Sequence, residues 1–175
     1  MLKICAKYII NLLGFEIFRI YKPNNNSYEE VKPWATYSPW NNDRAFVSVF
    51  EKINKNTLID KYRCFELWSL IKQSSKLSSG SIIEIGVWRG GSGALMAQQA
   101  KNCGISAPIY LCDTFKGMVK SGKNDSFIKD NVLSDTSIKI VEDLLLNNLK
   151  LNNVRILEGV FPDESSHSVE NETFR

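Results

Sequence analysis

One stretch limits the folds open to this chain more than any other: residues 81–97, SIIEIGVWRGGSGALMA. Ile82, Ile83 and Ile85 are β-branched and almost uninterrupted, the pattern of a parallel strand covered on both faces. Gly86, Gly90, Gly91 and Gly93 then crowd into one turn, and residues 92–100, SGALMAQQA, are rich in helix formers. A strand running through glycines into a helix gathers backbone N–H groups and the positive end of the helix dipole at one point. Glycine also lets a ligand approach the backbone where a Cβ would collide. The pattern predicts an α/β chain with a small-molecule cofactor site at the glycine turn.

Two acids sharpen that expectation. Glu84 stands inside the apolar strand. A buried carboxylate is costly unless it is paired or hydrogen-bonded. Glu84 therefore either braces the turn by accepting backbone N–H bonds or helps hold a ligand at the strand's carboxyl end, and the two roles are compatible. Residues 109–112, IYLC, form a second apolar run that ends in Asp113. An acid at that point typically accepts hydrogen bonds from a ribose. The dinucleotide fingerprint G-x-G-x-x-G is not met, because Trp88 stands where its second glycine belongs. That counts against a nicotinamide or flavin enzyme.

Composition removes other classes. The 175 residues, 43% hydrophobic and 23% charged, suffice for one domain with a real core. A net charge of +3 is too small to argue for nucleic acid. Cys5, Cys64, Cys103 and Cys112 form no C-x-x-C pair and the chain has one His, which disfavours a zinc site. Free thiols fit a reducing cytoplasm.

Residues 1–36 read as an N-terminal helix and linker, and 37–175 as the domain. In residues 1–20, Lys3, Lys7, Asn11, Glu16 and Arg19 break the apolar run short of the ~20 residues a spanning helix needs. No small-residue cleavage site follows. This segment reads as a helix packed on the core or on a second subunit. The competing reading is an amphipathic anchor, within residues 1–22, on an anionic membrane surface. Residues 44–53 and 60–77 are predicted helices, with Tyr62 and Trp68 expected in the core. Residues 120–134 are polar and form a long loop, expected to be a lid over the site. Residues 136–149 return to helix, and 154–157, VRIL, are a third strand. His167 lies in a polar tail and is expected to be a solvated surface residue rather than a base.

The three strands, β1 (81–86), β2 (108–113) and β3 (154–158), are predicted to lie side by side in the order 3-2-1. In a doubly wound sheet the ligand crevice forms where the order reverses, between β1 and a fourth strand. No fourth strand is legible, so the outer edge of β1 is expected to be unpaired. The expectation is the N-terminal part of a longer protein.

These residues carry a family resemblance. Ser38-Pro39-Trp40, Thr57-Leu58-Ile59-Asp60 with Tyr62-Arg63, and Glu84-Ile85-Gly86-Val87-Trp88-Arg89-Gly90-Gly91 begin it. Residues 111–117 (LCDTFKG), 134–137 (SDTS) and 156–163 (ILEGVFPD) continue it. From about Tyr37 onward the chain resembles the macrocin O-methyltransferase family of class I S-adenosylmethionine-dependent methyltransferases, with their Rossmann-like fold. The resemblance implies that Glu84, Gly86, Gly90, Gly91 and Ser92 surround the methionine part of S-adenosylmethionine and that Asp113 takes the ribose hydroxyls. Residues 159–161 would lie near the adenine, and Thr57 would approach the donor from the N-terminal side. It implies methyl transfer to a sugar hydroxyl of a glycan or glycosylated small molecule, assisted by Mg²⁺. In the family the metal and base carboxylates follow the position of Arg175, so no residue here is nominated as catalytic or as a metal ligand. The alternative is a module that binds S-adenosylmethionine or another adenosine ligand without chemistry.

Overall fold

The computed structural model describes Leu12 and residues 37–119 and 132–175. The chain forms two compact units, Met1–Tyr37 and Ser38–Arg175. Of the first, only Leu12 and Tyr37 are described. The expected N-terminal helix and linker otherwise lie outside the described residues, as do 120–131 of the expected lid.

The second unit opens with a short helix α1 (Pro39–Asn42), then α2 (Arg44–Ile53) and α3 (Lys61–Ser74). Acids cap both longer helices, as Asx side chains do when they accept orphan N–H groups. Asp43 accepts from Phe46 N at 3.0 Å, and its other oxygen takes the Trp68 indole N–H at 3.0 Å. One side chain thus starts α2 and ties it to α3. Asp60 accepts from Tyr62 N and Arg63 N, each at 2.9 Å, and from Arg63 Nε at 2.7 Å. The Arg63 backbone N–H, and then its guanidinium, hold the Asp60 carboxyl below its ordinary range. Phe46 is fully buried and meets Phe65 and Trp68 edge-on at 5.0 and 5.9 Å. Trp68 is in the core as expected. Tyr62 is not: it is 62% exposed and packs edge-on against Trp40 at 4.8 Å. Helix α3 also ends at Ser74 rather than 77, because its carbonyls are taken over by tighter i→i+3 bonds from Lys76 and Leu77.

The sheet is parallel, with β1 (Ile82–Ile85), β2 (Ile109–Asp113) and β3 (Val154–Glu158) in the order β1-β2-β3. This is the expected order of half a Rossmann-like sheet. Register sets Glu84 opposite Leu111 and Asp113 opposite Glu158. Helix α4 (Gly91–Asn102) connects β1 to β2 and packs against α2, α3 and β2. Gly93, Ala94, Ala97 and Ala100 are all buried, and such small residues let the neighbouring elements approach closely. After β2, α5 (Ile138–Glu142) starts at its cap Ser137 and widens into π turns over Asp143–Asn148, where the expectation was one regular helix from 136 to 149.

The outer edge of β1 differs from expectation. Ser81 N donates to Thr173 O at 2.7 Å and Arg175 N to Ser81 O at 3.0 Å, a parallel bridge between Ser81 and Phe174. Glu172 fastens this segment by accepting from Ser81 Oγ at 2.5 Å and from Tyr110 OH at 2.9 Å. The edge is therefore paired at its start. Further along, Ile85 is 59% exposed, so the strand is not covered on both faces at its carboxyl end.

Candidate cofactor site

A cavity of about 360 Å³ opens at the carboxyl ends of all three strands. Ile85 and Gly86 reach it from β1, Cys112 and Asp113 from β2, and Gly159, Val160 and Phe161 from the turn after β3. Leu58 borders it from the loop between α2 and α3. Gly117, Met118, Leu133 and Thr136 border it from the two ends of the long loop, which Met118 N clasps by donating to Val132 O at 2.9 Å. This is the crevice position at which open α/β sheets bind ligands.

The glycines of the turn do different jobs. Gly86 has φ +89°, and a Cβ built on it would meet nothing within 4 Å. It faces open space in the cavity wall and leaves the backbone bare to a ligand. Gly90, at φ +82°, caps α4, and its missing Cβ makes room for Val141 at 3.0 Å. A Cβ on Gly91 would sit 2.6 Å from Asn56 O, the same oxygen to which Gly91 N donates at 2.8 Å. A Cβ on Gly93 would lie 2.7 Å from Leu111 and 2.9 Å from Glu84 Oε2. Close packing requires those two glycines. Of the six expected cofactor contacts, Gly86 and Asp113 line the cavity, whereas Glu84, Gly90, Gly91 and Ser92 do not. Thr57 lies against Gly91, so it supports the turn from the N-terminal side.

Asp113 has a role that no local pattern announced. Its Oδ2 accepts from Val87 N at 2.6 Å and Trp88 N at 2.8 Å, and its Oδ1 accepts from Phe115 N at 2.9 Å. An ionised carboxylate offers about four lone-pair sites; two are spent joining β2 to the turn after β1 and a third holds the start of the loop after β2. Successive N–H groups around a left-handed residue make such an anion nest, and here Trp88 is the left-handed residue, at φ +50°.

Glu84 is the electrostatic oddity behind the turn. Its Oε2 is sealed from solvent with no hydrogen-bond partner. Burial pushes its carboxyl up from the ordinary 4.5 to about 7; a hydrogen bond with Ser92 pulls it back, and the Asp113 charge adds to the rise. Burial also raises the Cys112 thiol, so this sulfur borders the cavity as a neutral group. His167 is exposed, as expected for a surface residue.

Trp88 and Thr136 are wall residues that sequence reasoning missed, and Asp135 beside them braces Trp88. The Trp88 indole N–H donates to Asp135 Oδ1 at 2.8 Å, and the Thr136 hydroxyl donates to Trp88 O. The partners are 47 and 48 residues apart in the chain. The one available signal was that EIGVWRGG at 84–91 and SDTS at 134–137 both belong to the resemblance. Among the described residues no three His, Cys, Asp or Glu side chains gather as a metal site. No described helix is long and apolar enough to cross a membrane.

Three comparisons bear on this geometry. No curated protein sequence matches the chain. Among solved structures it is similar to the O-methyltransferase NovP, at 25% identity and a TM-score of 0.53, over 62% of this chain and 49% of that one. The chain thus spans about half the length of that relative. The model of the macrocin-O-methyltransferase (TylF) family matches residues 47–173, from helix α2 through all three strands to the segment bridged to Ser81. With that match covering most of its length and the glycine turn at its centre, the chain belongs to the macrocin-O-methyltransferase (TylF) family.

Proposed function

We propose that the cavity binds S-adenosylmethionine and that this chain is the donor-binding portion of an O-methyltransferase acting on a sugar hydroxyl of a glycan or glycosylated small molecule. The observation that carries the reading is the bare backbone of Gly86 in the wall of a cavity that also holds Asp113 at the end of β2. The orphaned Glu84 oxygen behind the same turn also suits a ligand that brings positive charge. Family membership supports methyl transfer to oxygen.

When bound, S-adenosylmethionine supplies an electrophilic methyl group that an acceptor oxygen can attack. The chain's own residues do the positioning. Gly86 leaves room for the donor's backbone-like methionine part, with Glu84, Gly90, Gly91 and Ser92 shaping the turn behind it. Asp113 keeps one lone-pair site for a ribose hydroxyl while two others hold the glycine turn and a third holds Phe115 N. Val160 and Phe161 offer an apolar face to an adenine ring. Among the described residues the lining contains one carboxylate, Asp113, already committed to three N–H groups, so it is not offered as the general base. Mg²⁺ assistance belongs to the same proposal only through residues other than the described ones, and no step is assigned to it.

The reading includes a cytoplasmic setting, in which Cys64, Cys103 and Cys112 remain thiols. It includes residues 1–36 as an N-terminal helix and linker ahead of the domain at 37–175, with the helix packed on the core or on a second subunit, or residues 1–22 contacting a membrane surface. Nucleic acid is not among the proposed partners. Titration calorimetry with S-adenosylhomocysteine, beside NAD⁺ as a control ligand, tests the donor assignment. Saturable binding of the first and none of the second is expected. A folded protein that binds neither, or NAD⁺ alone, would overturn it.

A further inference from the structure

Among the described residues, the cavity's lining includes Asp113 but no lysine, arginine or histidine. It is otherwise apolar or weakly polar, with sulfur from Met118 and Cys112. A cation that carries no N–H, such as a sulfonium, cannot be recognised by donating hydrogen bonds. A negative field and an aromatic face are the remaining means. The one aromatic group on the glycine turn is Trp88, and it is held with unusual care. Its backbone is left-handed at φ +50°, a region side chains seldom enter outside sites that impose it. Its N–H is fixed by Asp113 at 2.8 Å, its carbonyl by Thr136, and its indole N–H by Asp135 at 2.8 Å. An indole donating to a carboxylate gains electron density, which strengthens its attraction for a cation. The ring already holds one cation: the Arg89 guanidinium carbon lies 5.5 Å from its centroid, and Arg89 Nη1 is 3.9 Å from Asp135 Oδ2. Arg89 takes its place over the ring while Trp88 still lines the cavity.

We propose that the Trp88 indole is the cation-selecting wall of the cavity, favouring the positively charged sulfonium donor over its neutral thioether product, with Asp135 as the positioning residue that orients the ring. The inference rests on the reading that the cavity holds this donor. Its consequence is relief of product inhibition: the product loses the cation's attraction to the ring once the methyl group has left.

The test is the ratio of the dissociation constants of S-adenosylhomocysteine and S-adenosylmethionine, measured by calorimetry on the full chain and on Trp88→Leu, Trp88→Phe and Asp135→Asn. Trp88→Leu is expected to weaken donor binding by about twofold to thirtyfold more than product binding. Trp88→Phe, which keeps a weaker π face, is expected to fall between Leu and the parent. Asp135→Asn is expected to shift the ratio in the same direction by less. If Trp88→Leu does not fold, fluorinated tryptophans placed at position 88 keep the shape and the N–H while draining the π charge, and the ratio is expected to fall with each fluorine. Equal weakening of both ligands, or a ratio indifferent to fluorination, overturns the assignment to Trp88 and leaves the donor site standing. A folded parent that binds neither ligand overturns the donor site and this inference with it.

Discussion

Replacing Glu84 by Gln tests whether a buried carboxylate sets the pH response of this fold. In the folded chain the Glu84 carboxyl releases its proton near pH 7, against 4.5 ordinarily. The unfolded chain loses that proton at the lower pH. Between the two values the folded state binds more protons, so stability falls as pH rises through that window and levels off above about 7. At about 1.4 kcal/mol per pH unit, the ionised carboxylate costs on the order of 3 kcal/mol. Most of that loss, about 2–3 kcal/mol, falls between pH 5 and 8. Gln has nearly the same shape and cannot ionise. Urea unfolding of parent and Glu84→Gln at both pH values isolates the effect. Any fixed penalty of the amide cancels when the two pH values are compared. The variant's stability relative to the parent is expected to rise by about 2–3 kcal/mol from pH 5 to pH 8. A relative stability that stays constant within about 0.5 kcal/mol would refute the reasoning, because the Glu84 charge would then be fully compensated inside the fold.

Three further substitutions separate packing from ligand approach. Gly91→Ala would place a methyl 2.6 Å from the Asn56 carbonyl oxygen and 2.8 Å from Thr57 Cβ, and is expected to cost about 1–3 kcal/mol in urea unfolding. Gly86→Ala meets no neighbour but must adopt φ +89°; a loss of about 1 kcal/mol in the same assay is expected, together with a much larger loss of S-adenosylhomocysteine affinity by calorimetry. Asp43→Ala removes the cap of α2 and strands the buried Trp68 indole N–H, and is expected to lower stability by about 2 kcal/mol with donor affinity unchanged, read by thermal unfolding and calorimetry together.

Local pattern and tertiary contact divide the readable from the unreadable here. The short apolar runs at 82–85, 109–112 and 154–157 announced three parallel strands, because β-branched and aromatic side chains suit a pleated, at least half-buried surface. Glu84 stood out for the same reason. What local reading could not supply was partnership across sequence distance. Asp113 bonds Val87 and Trp88 from 26 and 25 residues away, and Glu172 joins Ser81 and Tyr110 from the far end of the chain. Glycine spacing showed that the turn is tight, but which glycine faces a ligand depends on where Asn56, Val141 and Leu111 come to lie. Tyr62 was misplaced because helical spacing identifies a stripe without fixing its margins, and its ring falls outside the buried band that contains Cys64, Trp68 and Ile71.

The central claim is that an adenosyl donor occupies the cavity at the strand ends. The most direct measurement is a crystal structure of the chain with S-adenosylhomocysteine. The account predicts ligand density against the bare backbone of Gly86, with the ribose beside Asp113, the adenine toward Val160 and Phe161, and the sulfur toward Trp88. Density for the ligand elsewhere on the molecule, with this cavity holding solvent alone, would contradict it.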